Sequence, residues 1–527
     1  MIKQAVRIQL QYLLLFAALL GFKNSYAAEY SWPVSRAQQG LPDIHFPTPE
    51  EACLFLAGAF PLHSVVPVLN GAPGDFFCSR VLDNPPGFIQ GVGTVRRVGT
   101  SCPNQNTFYN PLTGICEGSS LSKNSGNPSC SGVGNPINIS TGNKYQRESD
   151  YVGNGRFRLQ VNRSYNSDSG EWRFLPQIIS GGNREGLIEA RVVRGDGQAL
   201  PFTSANSLTL AANTFASTPD VIGKLVGFTD GIGAVVSWRY TTADQEIETY
   251  DGAGFLTSVT NREGVSHTYE YLGNTGIRVT HSDGQQLSYT LSDNLRIIAF
   301  TTPDNQQYNY GYDPQNRLTT VTYPDNTPLD GTDNLQRRYH YEDINFPNVL
   351  TGITDETNQR FATWAYDAQG RAVSSEHAGG VEKFTVDYSY IDDATDPRIT
   401  VTNPLNKQTT YHFETINGRR LTTLIEGHAT ATCPEVDRSN TYDENGFRDL
   451  AVDWNGILTD FDHDERGLEI QRIEAVGTPE QRIITTAWHP DFRLPTEITE
   501  PNKTTTFTYD TNGNLLSRTE TDTGATP

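Results

Sequence analysis

Apolar and polar residues alternate in short runs through most of this chain, and the runs break at Asp-Gly, Asn-Gly, Pro-Asp and Asp-Asn pairs. A period of two sends successive side chains to opposite faces of an extended strand, so the pattern predicts strands with one buried and one solvated face. In residues 156–165, for instance, Phe157, Leu159 and Val161 share one face, and Arg156, Arg158, Gln160 and Asn162 share the other. Residues 187–193 and 225–228 read the same way, separated by Gly-Gly, Asp-Gly and Asp-Gly-Ile-Gly turns. Beyond an apolar N-terminal stretch no segment sustains a long 3.6-residue period, and one short helix is expected at residues 49–56. The predicted class is all-β.

From Glu248 onward a unit recurs: an aromatic residue and Asp, a tight turn, Gly or Asn, a basic or apolar residue, and Leu. The clearest copies carry Tyr250-Asp251, Tyr312-Asp313, Tyr366-Asp367, Tyr442-Asp443 and Tyr509-Asp510. Degenerate copies fall at Tyr271, Tyr289, Tyr341, Tyr390, Phe413, residues 462–468 and Trp488. Most neighbouring copies lie between 18 residues (271 to 289) and 29 residues (312 to 341) apart, the period of a repeat architecture. In each copy a strand ends on Tyr, the Asp carboxylate bonds the turn backbone, Gly or Asn takes the positive φ, and Leu restarts a strand. One hairpin is marginal in water, so the units must pair edge to edge and bury their Tyr and Leu faces on neighbours. The expected architecture is an array of antiparallel hairpins forming a curved, open sheet. Recurrence at turn spacing assigns the Tyr and Asp residues to the scaffold, not to catalysis.

The N-terminus predicts the compartment. Lys3 and Arg7 precede an apolar stretch from residue 8 to 22, and Ser25-Tyr26-Ala27 offers small residues for a cleavage after Ala27, so residues 1–27 read as a secretory signal peptide. Cleavage removes three of 40 basic residues and none of 61 acidic ones, moving the net charge from −21 to about −24. That balance argues against nucleic acid as a partner. No later apolar run is long enough to span a bilayer, so the mature chain is not expected to be an integral membrane protein. Five of the six cysteines, Cys53, Cys78, Cys102, Cys116 and Cys130, crowd into the first quarter, and Cys433 stands alone. Disulfides are expected in an exported chain, with Cys102–Cys116 the first candidate pair and Cys53–Cys78 the second. Residues 28–113 then form a cysteine-containing cap, 114–134 a Ser/Gly/Asn-rich linker, and 517–527 a polar tail.

The Tyr-Asp units of residues 248–516 resemble those of the RHS/YD-repeat family. The stretch opening Gly134-Asn135-Pro136-Ile137-Asn138-Ile139-Ser140-Thr141-Gly142-Asn143-Lys144-Tyr145 and continuing to Asn162-Arg163-Ser164-Tyr165-Asn166-Ser167 is similar to the DUF6531 domain, which makes residues 135–247 a DUF6531-like β domain. The resemblance implies a sheet wound into a shell, which in full-length relatives encloses a C-terminal effector, often a toxin. It also implies roles in cell-surface contact. Two departures are visible. No effector domain is expected in the residues after Tyr509, and Asp396-Pro397 lies within the array without glycine-rich surroundings, so it reads as a turn and not as a self-cleavage motif.

No G-x-S-x-G, H-E-x-x-H, P-loop or Rossmann pattern occurs, and no catalytic residue, cofactor or metal site is expected. The acidic run Asp460-Phe461-Asp462-His463-Asp464-Glu465 reads as a degenerate repeat turn, since its spacing is not that of a calcium loop. His267, His281, His340, His377, His412, His428, His463 and His489 read as strand or surface positions without acid partners. The function expected is an exported scaffold for extracellular binding, cell contact or interbacterial interaction, in the envelope or outside the cell. Its ligand is left open between carbohydrate, through aromatic faces and Asp or Asn side chains, and a partner cell surface. The alternative is a toxin-delivery shell whose effector is missing or separately encoded, and a carbohydrate-active enzyme is the distant third.

Overall fold

The computed structural model describes residues 123–128 and 131–524, apart from 183–187, 205–210, 231–233, 294, 326–332 and 430–435, together with seven N-terminal strands. Two compact units are present, Met1–Ser119 with Gly181–Ile188, and Ser120–Ser180 with Glu189–Pro527. In the first, Trp32–Val34 pairs with Ile44–Phe46. Leu62–Pro67, Asp75–Asp83 and Pro86–Arg96 form a three-stranded meander, and Phe108–Asn110 pairs with Ile115–Glu117. Cys78 and Cys116 sit on these strands. The helix expected at residues 49–56, the cleavage site at Ala27, and Cys53 and Cys102 lie outside the described residues, and with them both candidate disulfides.

The second unit is dominated by a 30-stranded antiparallel sheet whose strands pair in sequence order, from Gln177–Gly182 to Leu515–Asp522, without returning to close. Its turns explain why the Tyr-Asp unit repeats. The Asp367 amide donates to the Arg371 carbonyl (2.9 Å), and its own carbonyl accepts from Gly370 N (3.0 Å). Asp367 Oδ1 accepts the amides of Gln369 and Arg371, both at 2.9 Å, and Oδ2 accepts Arg371 Nε at 2.7 Å. One carboxylate thus satisfies two amides that the narrow turn leaves without strand partners. The fourth turn residue is left-handed, with φ of 79° at Gly370 and 63° at Asn316. This is a type I turn followed by a bulge residue, which suits the right-handed twist of the flanking strands.

A register slip falls just before the repeat tyrosine, between Gly311 and Tyr312, Ala365 and Tyr366, and Thr508 and Tyr509. A bulge frees backbone groups, and threonine takes some of them: Thr319 Oγ1 donates to the Gly311 carbonyl (3.1 Å) and Thr257 Oγ1 to that of Thr249 (3.0 Å). Bulges bend a sheet and increase its twist. The effect is measurable, because Arg262 Nη1 donates to the Gly513 carbonyl at 3.1 Å. Those two turns are about 20 strand positions apart, which a flat sheet would spread over about 100 Å. The sheet therefore coils.

Against its inner face lies a three-stranded sheet, Tyr145–Val152, Gln160–Asn166 and Glu171–Arg173. One core holds Val161 and Tyr165 of this small sheet together with Phe300, Tyr310, Val321 and Trp364 of the large one. The middle strand begins later than alternation predicts. Phe157 stands in a turn at φ 45° and stacks on His267 at 4.5 Å. The expected wet face is also partly dry: Gln160 is exposed, but Asn162 is half-buried, and Ser164 and Asn166 further along the same face are buried, because the small sheet has protein on both sides. Within the Ser/Gly/Asn-rich stretch, Lys123 Nζ donates to Asp220 Oδ1 and the Asn417 carbonyl, both at 2.8 Å.

Candidate functional site

The repeat tyrosines and aspartates occupy equivalent places. Tyr312 donates its hydroxyl to the Ile297 carbonyl (2.8 Å), Tyr366 to Leu350 (2.6 Å), Tyr442 to Thr422 (2.9 Å) and Tyr509 to Pro495 (2.8 Å). Each hydroxyl thereby ties one hairpin to the strand before it. These four rings are half-buried. Tyr250 is fully buried and differs, donating to Glu248 Oε2 (2.6 Å), which is ion-paired with Arg194. Asp251, Asp313, Asp443 and Asp510 cap their turns through Oδ1 as Asp367 does. The acidic run around His463 resolves into the same device, since Asp464 Oδ1 accepts the amides of Arg466 and Leu468, both at 2.9 Å.

The junction between the small sheet and the coil holds a buried charge pair. Arg163 Nε donates to Asp150 Oδ2 at 2.7 Å and Nη2 to Oδ1 at 3.1 Å, and their side chains are 0% and 2% exposed. Two tyrosines of the large sheet complete it. Arg163 Nη2 donates to the Tyr339 hydroxyl (2.5 Å), and Tyr310 donates to Asp150 Oδ2 (2.7 Å). The guanidinium carbon lies 4.5 Å from the Trp172 ring centroid and 4.9 Å from that of Tyr339, a position the negative faces of the rings favour. Burial pulls against the Arg163 charge, but Tyr339 and Asp150 outweigh it and hold the guanidinium protonated. Tyr165 bridges the same junction, donating to the Asn348 carbonyl (2.8 Å) and accepting from Leu350 N (2.9 Å). Lys144, fully buried, donates to the Tyr145 carbonyl and Gln146 Oε1 and sits 4.1 Å from the Trp364 centroid; burial lowers its pKa well below the usual value.

Beside this junction opens a cavity of ≈ 570 Å³, within the range of small-molecule sites. Its walls are the end of the small sheet, including Trp172 and Arg173, and the turn ends of hairpins bearing Tyr271, Arg296, Tyr312 and Tyr341. Trp172 Nε1 donates to the Tyr341 hydroxyl (3.0 Å). Burial pushes the Tyr312 and Tyr271 phenols up to about 12. Burial also lowers the Arg173 pKa, which Glu171 only partly offsets. Alternation alone could not have found this cavity, because it needs residues about 170 positions apart.

A second polar cluster corrects the sequence reading of the histidines. His412 Nδ1 lies 2.6 Å from Asp396 Oδ1 and Nε2 lies 2.9 Å from Glu426 Oε2, and Arg398 also pairs with Asp396. The strand pairings Arg398↔His412 and His412↔Leu424 bring the three together, a relation chain spacing hides. No group of three or more His, Cys, Asp or Glu suited to a metal ion occurs among the described residues. No described helix is long and apolar enough to cross a membrane.

Comparison with known proteins gives two family matches. Residues 134–202 match the family described as Domain of unknown function (DUF6531), and residues 292–328 match RHS Repeat. Among solved structures, TcdB2-TccC3-Cdc42 aligns at 11% identity over 70% of this chain and 22% of its own, with a TM-score of 0.38. TcdB2-TccC3 aligns at 11% identity over 85% of this chain and 27% of its own, with a TM-score of 0.34. The Photorhabdus luminescens Tc holotoxin pore aligns at 12% identity, covering 69% and 22%, with a TM-score of 0.26. The chain spans about a quarter of the length of these structures. No curated protein matches it.

Proposed function

From a chain that carries a DUF6531 domain and an RHS repeat, we propose an exported scaffold that binds extracellular ligands or cell surfaces and performs no catalysis of its own. The observation that carries this reading is where the repeated polar groups go. The five repeat aspartates each hold a turn through Oδ1, and four of the five repeat tyrosines hold a neighbouring strand through their hydroxyls. Such groups build a wall. The cavity beside the junction supplies a place to bind. The test is whether labelled full-length protein binds bacterial or host cells saturably and whether its exported form begins at residue 28. Retention inside the producing cell, with no binding to any surface, overturns the reading.

A second reading, a shell for a separately encoded effector, is favoured by one feature. The coil already encloses a folded segment of its own chain, through Tyr310, Tyr339 and Trp364. Co-expression with the product of the adjacent downstream reading frame tests it, and a complex stable through gel filtration is the outcome that reading expects.

A further inference from the structure

We infer that Asn154 is a site of spontaneous covalent modification, losing its side-chain amide as ammonia through a cyclic imide formed with Gly155, at the hairpin tip that the coil grips. Asn-Gly pairs favour this reaction because glycine has no Cβ to keep its amide nitrogen from the preceding side chain. The Gly155 nitrogen gives its proton to hydroxide and bonds to Cγ of Asn154, and the side-chain nitrogen leaves, with a proton from water, as ammonia. One water then opens the imide. Opening at Cγ leaves aspartate; opening at the former backbone carbonyl routes the chain through Cβ as isoaspartate. Six Asn-Gly pairs occur, beginning at Asn70, Asn154, Asn417, Asn445, Asn455 and Asn512. The first lies outside the described residues, and the fold treats the other five differently.

Three of the pairs sit in aspartate-capped turns that hold the attacking group. The amides of Gly446, Gly456 and Gly513 donate to the carbonyls of Asp443, Asp453 and Asp510, each at 3.0 Å. The asparagine amides before them are held by Oδ1 of the same aspartates. Such a nitrogen must give up its bond, and the turn must open, before it reaches Cγ. At Asn417 the side chain is tied instead: Nδ2 donates to the Asn445 carbonyl at 3.1 Å, while the carbonyls of Asn417 and Gly418 accept Lys123 Nζ at 2.8 Å and Asn124 Nδ2 at 2.9 Å. Asn154 and Gly155 are both exposed, and among the described residues neither the Asn154 side chain nor the Gly155 amide makes a hydrogen bond. A Cβ on Gly155 would meet nothing within 4 Å, so the backbone is free to swing. The position gives the change an effect. In the same loop the Arg156 and Phe157 carbonyls accept His281 Nε2 at 3.1 Å and His267 Nε2 at 2.6 Å, and the Phe157 ring stacks on His267. Isoaspartate inserts a methylene into the backbone just before these two residues, which shifts both carbonyls and loosens the hold of the coil on the hairpin.

Ageing the full chain in mildly alkaline buffer, then mapping its peptides by mass spectrometry, tests the site, and an isoaspartyl methyltransferase counts the rearranged product. The expected result is deamidation at Asn154 at least about tenfold faster than at Asn417, Asn445, Asn455 or Asn512. In guanidinium chloride the five rates should converge, because the protection comes from the fold. Amides of residues 153–159 should exchange with deuterium faster in the aged chain than in the fresh one. Asn154→Gln, whose longer side chain must close a larger ring, should abolish the change at this peptide and leave thermal unfolding as in the parent, since the Asn154 side chain has no partner to lose. Asn154→Asp supplies the charge without the methylene and should leave exchange at 153–159 unchanged. Deamidation at Asn154 no faster than at Asn512 in the folded chain, or the same preference in guanidinium chloride, overturns the inference. Unchanged exchange at 153–159 in a chain shown to carry isoaspartate there overturns the loosening.

Discussion

Replacing Arg163 with Met tests the junction where the small sheet meets the coil. The substitution keeps an apolar stem of similar length but removes both hydrogen bonds to Asp150 and the one to Tyr339. Asp150, 2% exposed, is then left with the Tyr310 hydroxyl as its remaining partner from the large sheet. Removing one member of a buried ion pair costs about 3–5 kcal/mol, mostly the penalty of the orphaned charge. Loss of the contacts with Trp172 and Tyr339 puts the expected value toward the upper end, since a desolvated cation over a ring contributes up to about 2 kcal/mol. Against a typical domain stability of about 5–15 kcal/mol this is a large fraction. Urea unfolding followed by tryptophan fluorescence reads it, because Trp172 and Trp364 line the same core. Adding Asp150→Leu to Arg163→Met removes the orphan and should return stability to within about 2 kcal/mol of the parent. A cost below about 1 kcal/mol for Arg163→Met, the scale of an exposed pair, would refute the reasoning.

Three further outcomes follow from the geometry. Asp367→Ala removes the acceptor for two turn amides and should cost about 1 kcal/mol by chemical denaturation, with Asp367→Asn nearer the parent. Gly264→Ala, in open space at φ 80°, should cost about 1–2 kcal/mol; Gly254→Ala should cost clearly more, because its Cβ would come within 1.8 Å of the Ile178 carbonyl oxygen, and paired thermal melts compare them. At His412, burial draws the pKa down, but Glu426 and Asp396 outweigh it and leave the imidazole above its ordinary value. Its contribution is thus complete below the unfolded-state value of about 6.5 and is lost as pH rises through the folded value. The Asp396 pKa is lowered, chiefly by its hydrogen bond with His412, so that contribution is lost as pH falls through the folded value. Stability measured against pH should fall less steeply above neutrality in His412→Asn than in the parent; parallel curves contradict the assignment.

The hairpin array was legible because its causes are local. Turn residues, the left-handed Gly or Asn and the alternating strands all lie within about ten residues of one another, and the coil follows from repeating them. The strand at residues 156–165 was placed too early, because Phe157 fits the alternation yet serves a turn against His267. Alternation puts Arg163 on the face of Leu159 and Val161, but a charge there reads as a break in the pattern, because the groups that make the interior position tolerable, Asp150 on the paired strand and Tyr339, 176 residues away, meet it only in the fold. The same holds for His412, whose acid partners lie 14 and 16 residues off and meet it only through strand register. The cavity lined by Trp172, Arg173, Arg296 and Tyr312 was hidden for the same reason, since its walls are brought together only by the coil.

The coiled sheet and the small sheet it wraps form one cooperative core, and hydrogen–deuterium exchange followed by mass spectrometry tests this cooperativity. The amides of Gln160–Asn166 and those of Gln336–His340 should be protected together and should lose protection together in Arg163→Met. Fast exchange in Gln160–Asn166 beside an undisturbed Gln336–His340 would contradict it, since the small sheet would then not be held by the coil.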